Sequence, residues 1–378
     1  MPWCRGLRHH QDMNKPMTNA DAALTLSAST DPGFAAWLAA SGGSLAISTY
    51  QAGRLFMVGW NGQQVSFLPR AFDRPMGLDV AGDRLALATR HAIWLFANSR
   101  PLAPNYLAPG RYDALYLPHA QFHLPDLQIH DLAFAGDKLW LVNTRLSCLA
   151  TPSPTQTFVP RWRPAFIDDL APEDRCHLNG LAVRDTRPAF VTALGETNTP
   201  HGWRDGKRGG GIVIDVDSGE IALRGLSMPH SPRWHDGALW LLNSGEGRLL
   251  RMTADGRADT VCELPGYLRG LCFVGHHALV GLCQIREKQV FDGMPVAERH
   301  AELLCGIAVI DTRSGQRVGL LSFTAGCSEI YDLRFLAGIR RPNVLNLAKD
   351  DVKLAISAPD CWYWLPKEEL TPPSTQDV

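Results

Sequence analysis

No stretch of the chain stays apolar for the ~18 residues that a membrane-crossing helix needs. Neither sign of charge dominates: 37 Lys and Arg stand against 38 Asp and Glu, a formal net charge of −1. That balance supplies neither the basic surface of a nucleic-acid binder nor an acidic solvating tail. Nine cysteines are present, but no two form a C-x-x-C pair, so zinc-ribbon and thioredoxin-like spacings are absent. Also missing are G-x-S-x-G, H-E-x-x-H and G-x-x-x-x-G-K-[ST], the marks of a serine nucleophile elbow, a zinc protease and a P-loop. Charged residues at 20% are too few for disorder across 378 residues, and a hydrophobic fraction of 45% is ample for a packed core.

The scattered cysteines read as reduced thiols acting as small hydrophobes. The first 30 residues are polar and mixed, with no secretory hydrophobic region, so a cytoplasmic location is expected. Met1, Met13 and Met17 are alternative starts, and residues 1–30 and the tail after Leu365 are expected to be disordered.

What the chain does contain is a repeat. Six segments share a polar residue, a small or acidic residue and then apolar residues. They begin at Met76, His130, Asn179, His230, Arg269 and Tyr331, with a mean separation of 51 positions. A propeller blade of four strands takes ~40–50 residues. After these segments come hairpin signals: Gly82-Asp83 and Gly136-Asp137 suit type II′ turns, and Asp236-Gly237 suits type I′. A second set of turns recurs further out, at Asn61-Gly62, Ser218-Gly219, Asp255-Gly256 and Ser314-Gly315. Helical periodicity is confined to residues 31–40, where Pro32 in the first turn predicts one short capped helix. Residues 44–72 supply three strands without an innermost partner, and the segment at Tyr331 supplies an innermost strand with little after it. Joining them predicts an all-β, six-bladed β-propeller over 31–347, closed by N- and C-terminal strands, followed by an extension and tail at 348–378. A β-sandwich or two β domains is the alternative that the spacing alone would allow.

In a propeller, the starts of the innermost strands surround the channel mouth. Met76, His130, Asn179, His230, Arg269 and Tyr331 are therefore expected in one ring, with Gly77, Asp131, Gly180, Ser231, Gly270 and Asp332 one level down. The glycines would let backbone amides face the lumen. Tyr50 and Gln51 border the same mouth, as do two long loops. The loop at 196–210 carries Glu196, His201 and Arg204, and the loop at 284–305 carries Arg286. Arginines on such a rim suit an anionic small molecule or an acidic peptide, since guanidinium forks bind carboxylates and phosphates bidentately. A solvated rim is the plainer alternative. His130, His177 and His230 are candidate ligands of a divalent metal. For catalysis, His130 or His230 would act as base, oriented by Asp131 or Glu329.

The strings STYQAG (48–53), CHLNGLA (176–182), PHSPRWHDG (229–237), YLRGLCF (267–273) and IYDL (330–333) resemble an uncharacterised bacterial family of conserved hypothetical proteins. It is a domain of unknown function, sometimes found beside tetratricopeptide repeats, and the likeness runs from about residue 33 to 345. The resemblance implies a shared site at the mouth but carries over no reaction. The expected function is a site at the channel mouth for a small anionic ligand or peptide. The alternatives are a protein-interaction scaffold and a metal-dependent hydrolase or lactonase. Neither nucleic acid nor membrane is an expected partner. Residues 349–365 have no functional reading beyond an added strand or a strap across the ring.

Overall fold

The computed structural model describes residues 26–253, 256–284 and 293–367. Six small antiparallel sheets stand in a ring, the arrangement of a six-bladed β-propeller. Their innermost strands are Leu78–Ala81, Ile129–Ala135, Leu178–Arg184, Pro229–His235, Tyr267–Val274 and Asp332–Ala337, which define blades 1 to 6. The closure is as expected: Asp332–Ala337 pairs with Gly43–Thr49, which pairs with Arg54–Trp60 and then Val65–Ala71.

Turn chemistry explains why each hairpin forms where it does. Gly82 and Gly136 have φ of +60° and +62° as the first central residues of their turns, whereas Asp236 and Gly237 are both left-handed at +48° and +71°. Those are the type II′ and type I′ patterns, whose twist matches the flanking strands. Asp185 and Thr186 make the same I′ pattern at +49° and +62° without a glycine, so sequence gave no signal there. Asp255 of the Asp255-Gly256 turn, the two alternative starts Met13 and Met17, and Arg286 lie outside the described residues.

An apolar seam lies between each pair of neighbouring blades. The seam between blades 5 and 6 is reinforced by the helix Pro32–Ala40, which buries Phe34, Trp37 and Leu38 against Leu45, Phe56 and Ile307. Asp31 caps that helix, its Oδ1 accepting from Phe34 N at 2.8 Å and from Leu320 N of blade 5 at 3.0 Å. Both ends of the chain brace the closure. Ser27–Thr30 adds a fifth strand to blade 5, and Pro342–Val344 adds a parallel fifth strand to blade 1. Residues 27–30, expected within the N-terminal tail, are instead a strand, captured by an edge strand that offers free backbone groups.

Residues 349–365 do not strap the ring. A short 3₁₀ turn and the hairpin Ala355–Ala358/Cys361–Trp364 pack on the outside of blade 1. There Trp364 stacks on Tyr106 at 5.3 Å, and the Tyr106 hydroxyl donates to Asp351 at 2.8 Å.

Candidate functional site

At the axis the innermost strands converge, and the second place of each repeat, with the fourth place in blades 1, 4 and 6, lies at that level. Glycine occupies the second place in blades 1, 3 and 5 (Gly77, Gly180, Gly270); Asp131, Ser231 and Asp332 occupy it in blades 2, 4 and 6. The glycines make room, and the Gly270 amide donates to Ser231 Oγ at the same level. A Cβ on Gly77 would sit 2.7 Å from Asp131 Cα, and one on Gly180 would sit 2.3 Å from Pro232 Cδ.

The polar residues of this level lace the ring together. Asp332 accepts from Leu78 N at 3.2 Å, Asp79 from Phe134 N at 2.8 Å, and Asp131 from Leu181 N at 3.1 Å. Ser231 Oγ accepts from Gly270 N at 3.0 Å. Two arginines then bridge the carboxylates. Arg233 reaches Asp131 at 2.8 Å and Asp332 at 3.4 Å, while Arg334 reaches Asp332 at 2.7 Å and Asp79 at 2.8 Å. Three carboxylates share two guanidiniums. Burial accordingly pushes the Asp332 carboxyl up from its ordinary value, with Arg334 and Arg233 pulling it back. Asp131 and Asp332, expected as catalytic and ligand residues, are thus the buried floor beneath the mouth. Ring convergence and the arginines at the fourth place of two repeats commit them to each other.

Above this floor lies a pocket of about 240 Å³, bordered by Tyr50, Gln51, Met76, His130, His177, His201, Trp203, Arg204, His230, Tyr267, Arg269, Glu329 and Tyr331. That is at or below the small end of ligand sites, ~300–1,000 Å³. Of the expected ring, only Asn179 is missing. Its amide spans Thr192 Oγ1 at 2.6 Å and Pro229 O at 3.0 Å, so it links blades 3 and 4, and His177 borders the pocket on that side. Glu196 also stays away, pairing with Arg224 on the outer flank of blade 3.

His130 and His230 are held alike, His230 with one further neighbour, the Tyr267 hydroxyl 3.4 Å from its Nδ1. Nδ1 of His130 lies 3.0 Å from Gln128 O and 2.8 Å from Thr144 Oγ1; Nδ1 of His230 lies 2.9 Å from Met228 O and 3.1 Å from Ser244 Oγ. In both, the carbonyl is two residues before the histidine and the hydroxyl fourteen after. Gln128 and Met228 adopt left-handed φ of +54° and +51°, which turns each carbonyl back under its imidazole. Burial holds both imidazoles well below their ordinary pKa; His177 and Arg269 push the same way.

The carboxylate that orients a histidine here is neither Asp131 nor Glu329. Asp174 clamps His177 Nδ1 at 2.9 and 3.0 Å and accepts from Trp203 Nε1 at 3.0 Å. The expected 196–210 loop thus does reach the mouth: its 3₁₀ turn Gly202–Gly206 buries Trp203 against the Asp174–His177 pair. The sequence signal is the spacing Asp174-x-x-His177, which lies outside the repeat.

Glu329 instead holds Arg269, whose Nη1 donates to it at 3.0 Å while the guanidinium lies 3.7 Å over the Tyr331 ring. Burial disfavours the Arg269 cation, but Tyr331 and Glu329 outweigh it and raise its pKa, so the charge is fixed. The metal expectation does not gain a shared centre. Among the described residues, the one group of three or more donor residues whose ligand atoms lie within 4.8 Å of one another is His276, His277 and Asp311 on blade 5. His130, His177 and His230 form no such group.

The model of a family described as a domain of unknown function (DUF4915) matches residues 32–345. No curated protein is matched by the sequence. Among solved structures, a chain of a nidogen/laminin complex is 10% identical, with 78% of this chain and 98% of that one covered and a TM-score of 0.47. A candidate gluconolactonase is 13% identical, covering 84% and 99%, with a TM-score of 0.46. The calcium-binding protein regucalcin of Agrobacterium tumefaciens is 14% identical, covering 64% and 72%, with a TM-score of 0.41. At these values the likeness concerns the fold alone. No helix among the described residues is long and apolar enough to cross a membrane.

Proposed function

The chain belongs to the DUF4915 family, and from its geometry we propose that the protein binds a small anionic ligand in the pocket at the channel mouth. The observation that carries this reading is Arg269: a buried guanidinium, fixed by Glu329 and the Tyr331 face, bordering a pocket that Arg204 also borders. A guanidinium has five N–H donors, so one bond to Glu329 leaves most of the fork to a carboxylate or phosphate. The pocket volume favours a small molecule over a peptide segment. The scaffold alternative calls for an apolar patch on the rim. The exposed large hydrophobics among the described residues are Leu107, Val318, Leu347, Ile356, Trp362 and Tyr363, and none borders the mouth.

Thermal unfolding in the presence of small carboxylates and phosphate esters tests the reading. A binder at 100 times its Kd stabilises by about 2.7 kcal/mol, and Arg269→Lys, which keeps the charge but loses the fork, should abolish most of that rise. A melting curve unmoved by every anion would refute it.

A further inference from the structure

We infer that the ligand of this pocket is a polyhydroxy carboxylate, with hydroxyl groups donating to Nε2 of His130 and His230 while its carboxylate meets Arg269. This deepens the binding reading and rests on it.

The argument is one of proton inventory. A backbone carbonyl can only accept, so the nitrogen 3.0 Å from Gln128 O must carry a hydrogen. The Thr144 hydroxyl beside it already donates to Leu178 O at 2.6 Å and therefore also receives from Nδ1. His230 repeats the pattern: Met228 O is 2.9 Å from Nδ1, and the nearby Ser244 hydroxyl is directed at Leu242 O at 3.4 Å. Each ring is thus the Nδ1–H tautomer, assigned from its partners. Burial in a site next to the fixed Arg269 charge keeps both rings neutral, so each Nε2 presents a lone pair. Neither Nε2 has a hydrogen-bond partner among the described residues, and neither is sealed from solvent. The open space that both rings border is the mouth pocket.

A ligand that satisfies these nitrogens must bring donors, because a buried acceptor left unpaired costs free energy. Hydroxyl and ammonium groups both qualify. The Arg269 cation that disfavours imidazolium here disfavours a ligand ammonium by the same repulsion. Hydroxyls remain, alongside the carboxylate.

Isothermal titration calorimetry with matched probes tests this: gluconate against hexanoate, threonate against butyrate, and 6-aminohexanoate as the ammonium arm. We expect the hydroxylated acids to bind at least tenfold tighter than their plain counterparts. His130→Asn and His230→Asn keep a donor near the Nδ1 position but lose the Nε2 acceptor. Each should weaken gluconate by about tenfold and so erase most of its advantage over hexanoate. Independently of any ligand, ¹⁵N ring spectra should show Nδ1–H for both residues, identified by their loss in the two variants. Equal binding of hydroxylated and plain acids would overturn the inference while sparing the anion site, as would tighter binding of 6-aminohexanoate. An Nε2–H tautomer in either ring overturns it outright, as does the absence of carboxylate binding, and no binding of any anion, phosphate esters included, sinks both readings.

Discussion

The two buried imidazoles should make the protein acid-sensitive in a way that can be assigned to them. Both native pKa values are lowered, by burial first, from an ordinary value near 6.5. For a base whose folded pKa is depressed, the unfolded chain binds more protons below ~6.5, so stability falls as pH falls through that value and is unaffected well above it. With both native rings staying neutral, going from pH 7 to pH 5 costs about 2 kcal/mol for each, or about 4 kcal/mol together. For a protein of this size that is a Tm decrease on the order of 5 °C. Asp332 titrates in the opposite sense, because burial raises its carboxyl, and it would offset part of the loss. The comparison that removes this overlap is wild type against His130→Asn/His230→Asn, in which Asp332 is unchanged. Thermal unfolding at pH 7, 6 and 5 should show the wild type losing about 5 °C more than the double variant. Parallel pH dependences would refute the neutral, doubly tied imidazoles.

Other perturbations read other parts of the design. Gly180→Ala would place its Cβ 2.3 Å from Pro232 Cδ and 2.6 Å from Thr192 Oγ1; strained packing of this kind costs ~1–3 kcal/mol, readable as a lower urea midpoint. Arg334→Met leaves Asp79 and Asp332 without their shared guanidinium, and breaking a buried pair costs about 3–5 kcal/mol; a midpoint shift under 1 kcal/mol would disprove that role. Trp364→Ala removes the stack on Tyr106 and should speed proteolytic trimming of the C-terminal hairpin while leaving anion binding at the mouth unchanged.

The fold was legible because local chemistry repeats: the turn residues, the mean spacing and the missing strand at each end of the ring all follow from sequence. The pocket was legible as far as the first place of each repeat, which puts His130, His230, Arg269 and Tyr331 together. What was not legible depends on partners remote in sequence. Asp131 looks like the carboxylate that orients a catalytic histidine until Arg233, more than 100 residues on, takes it at 2.8 Å. Asn179 fills a ring position, yet Thr192 and Pro229 turn its amide into the gap between blades. Asp174 lies outside the repeat, and only the folding of Trp203 onto it discloses the clamp on His177.

The alternation of glycine with Asp or Ser around the axis explains why the same ring can be both packed and polar. Six strands converging on one axis cannot all carry side chains at that level, as the 2.7 Å and 2.3 Å approaches at Gly77 and Gly180 show. Leaving out every second side chain gives Asp131, Ser231 and Asp332 room to accept backbone amides from the next blade. Arg233 and Arg334 then hold the carboxylates in one network that spans the lumen. The walls of the pocket above it alternate likewise: His130, His230 and Tyr331 stand on the blades that carry the polar floor, with Arg269 between two of them. Two imidazoles and a fixed cation at one mouth therefore follow from the same repeat that closes the ring.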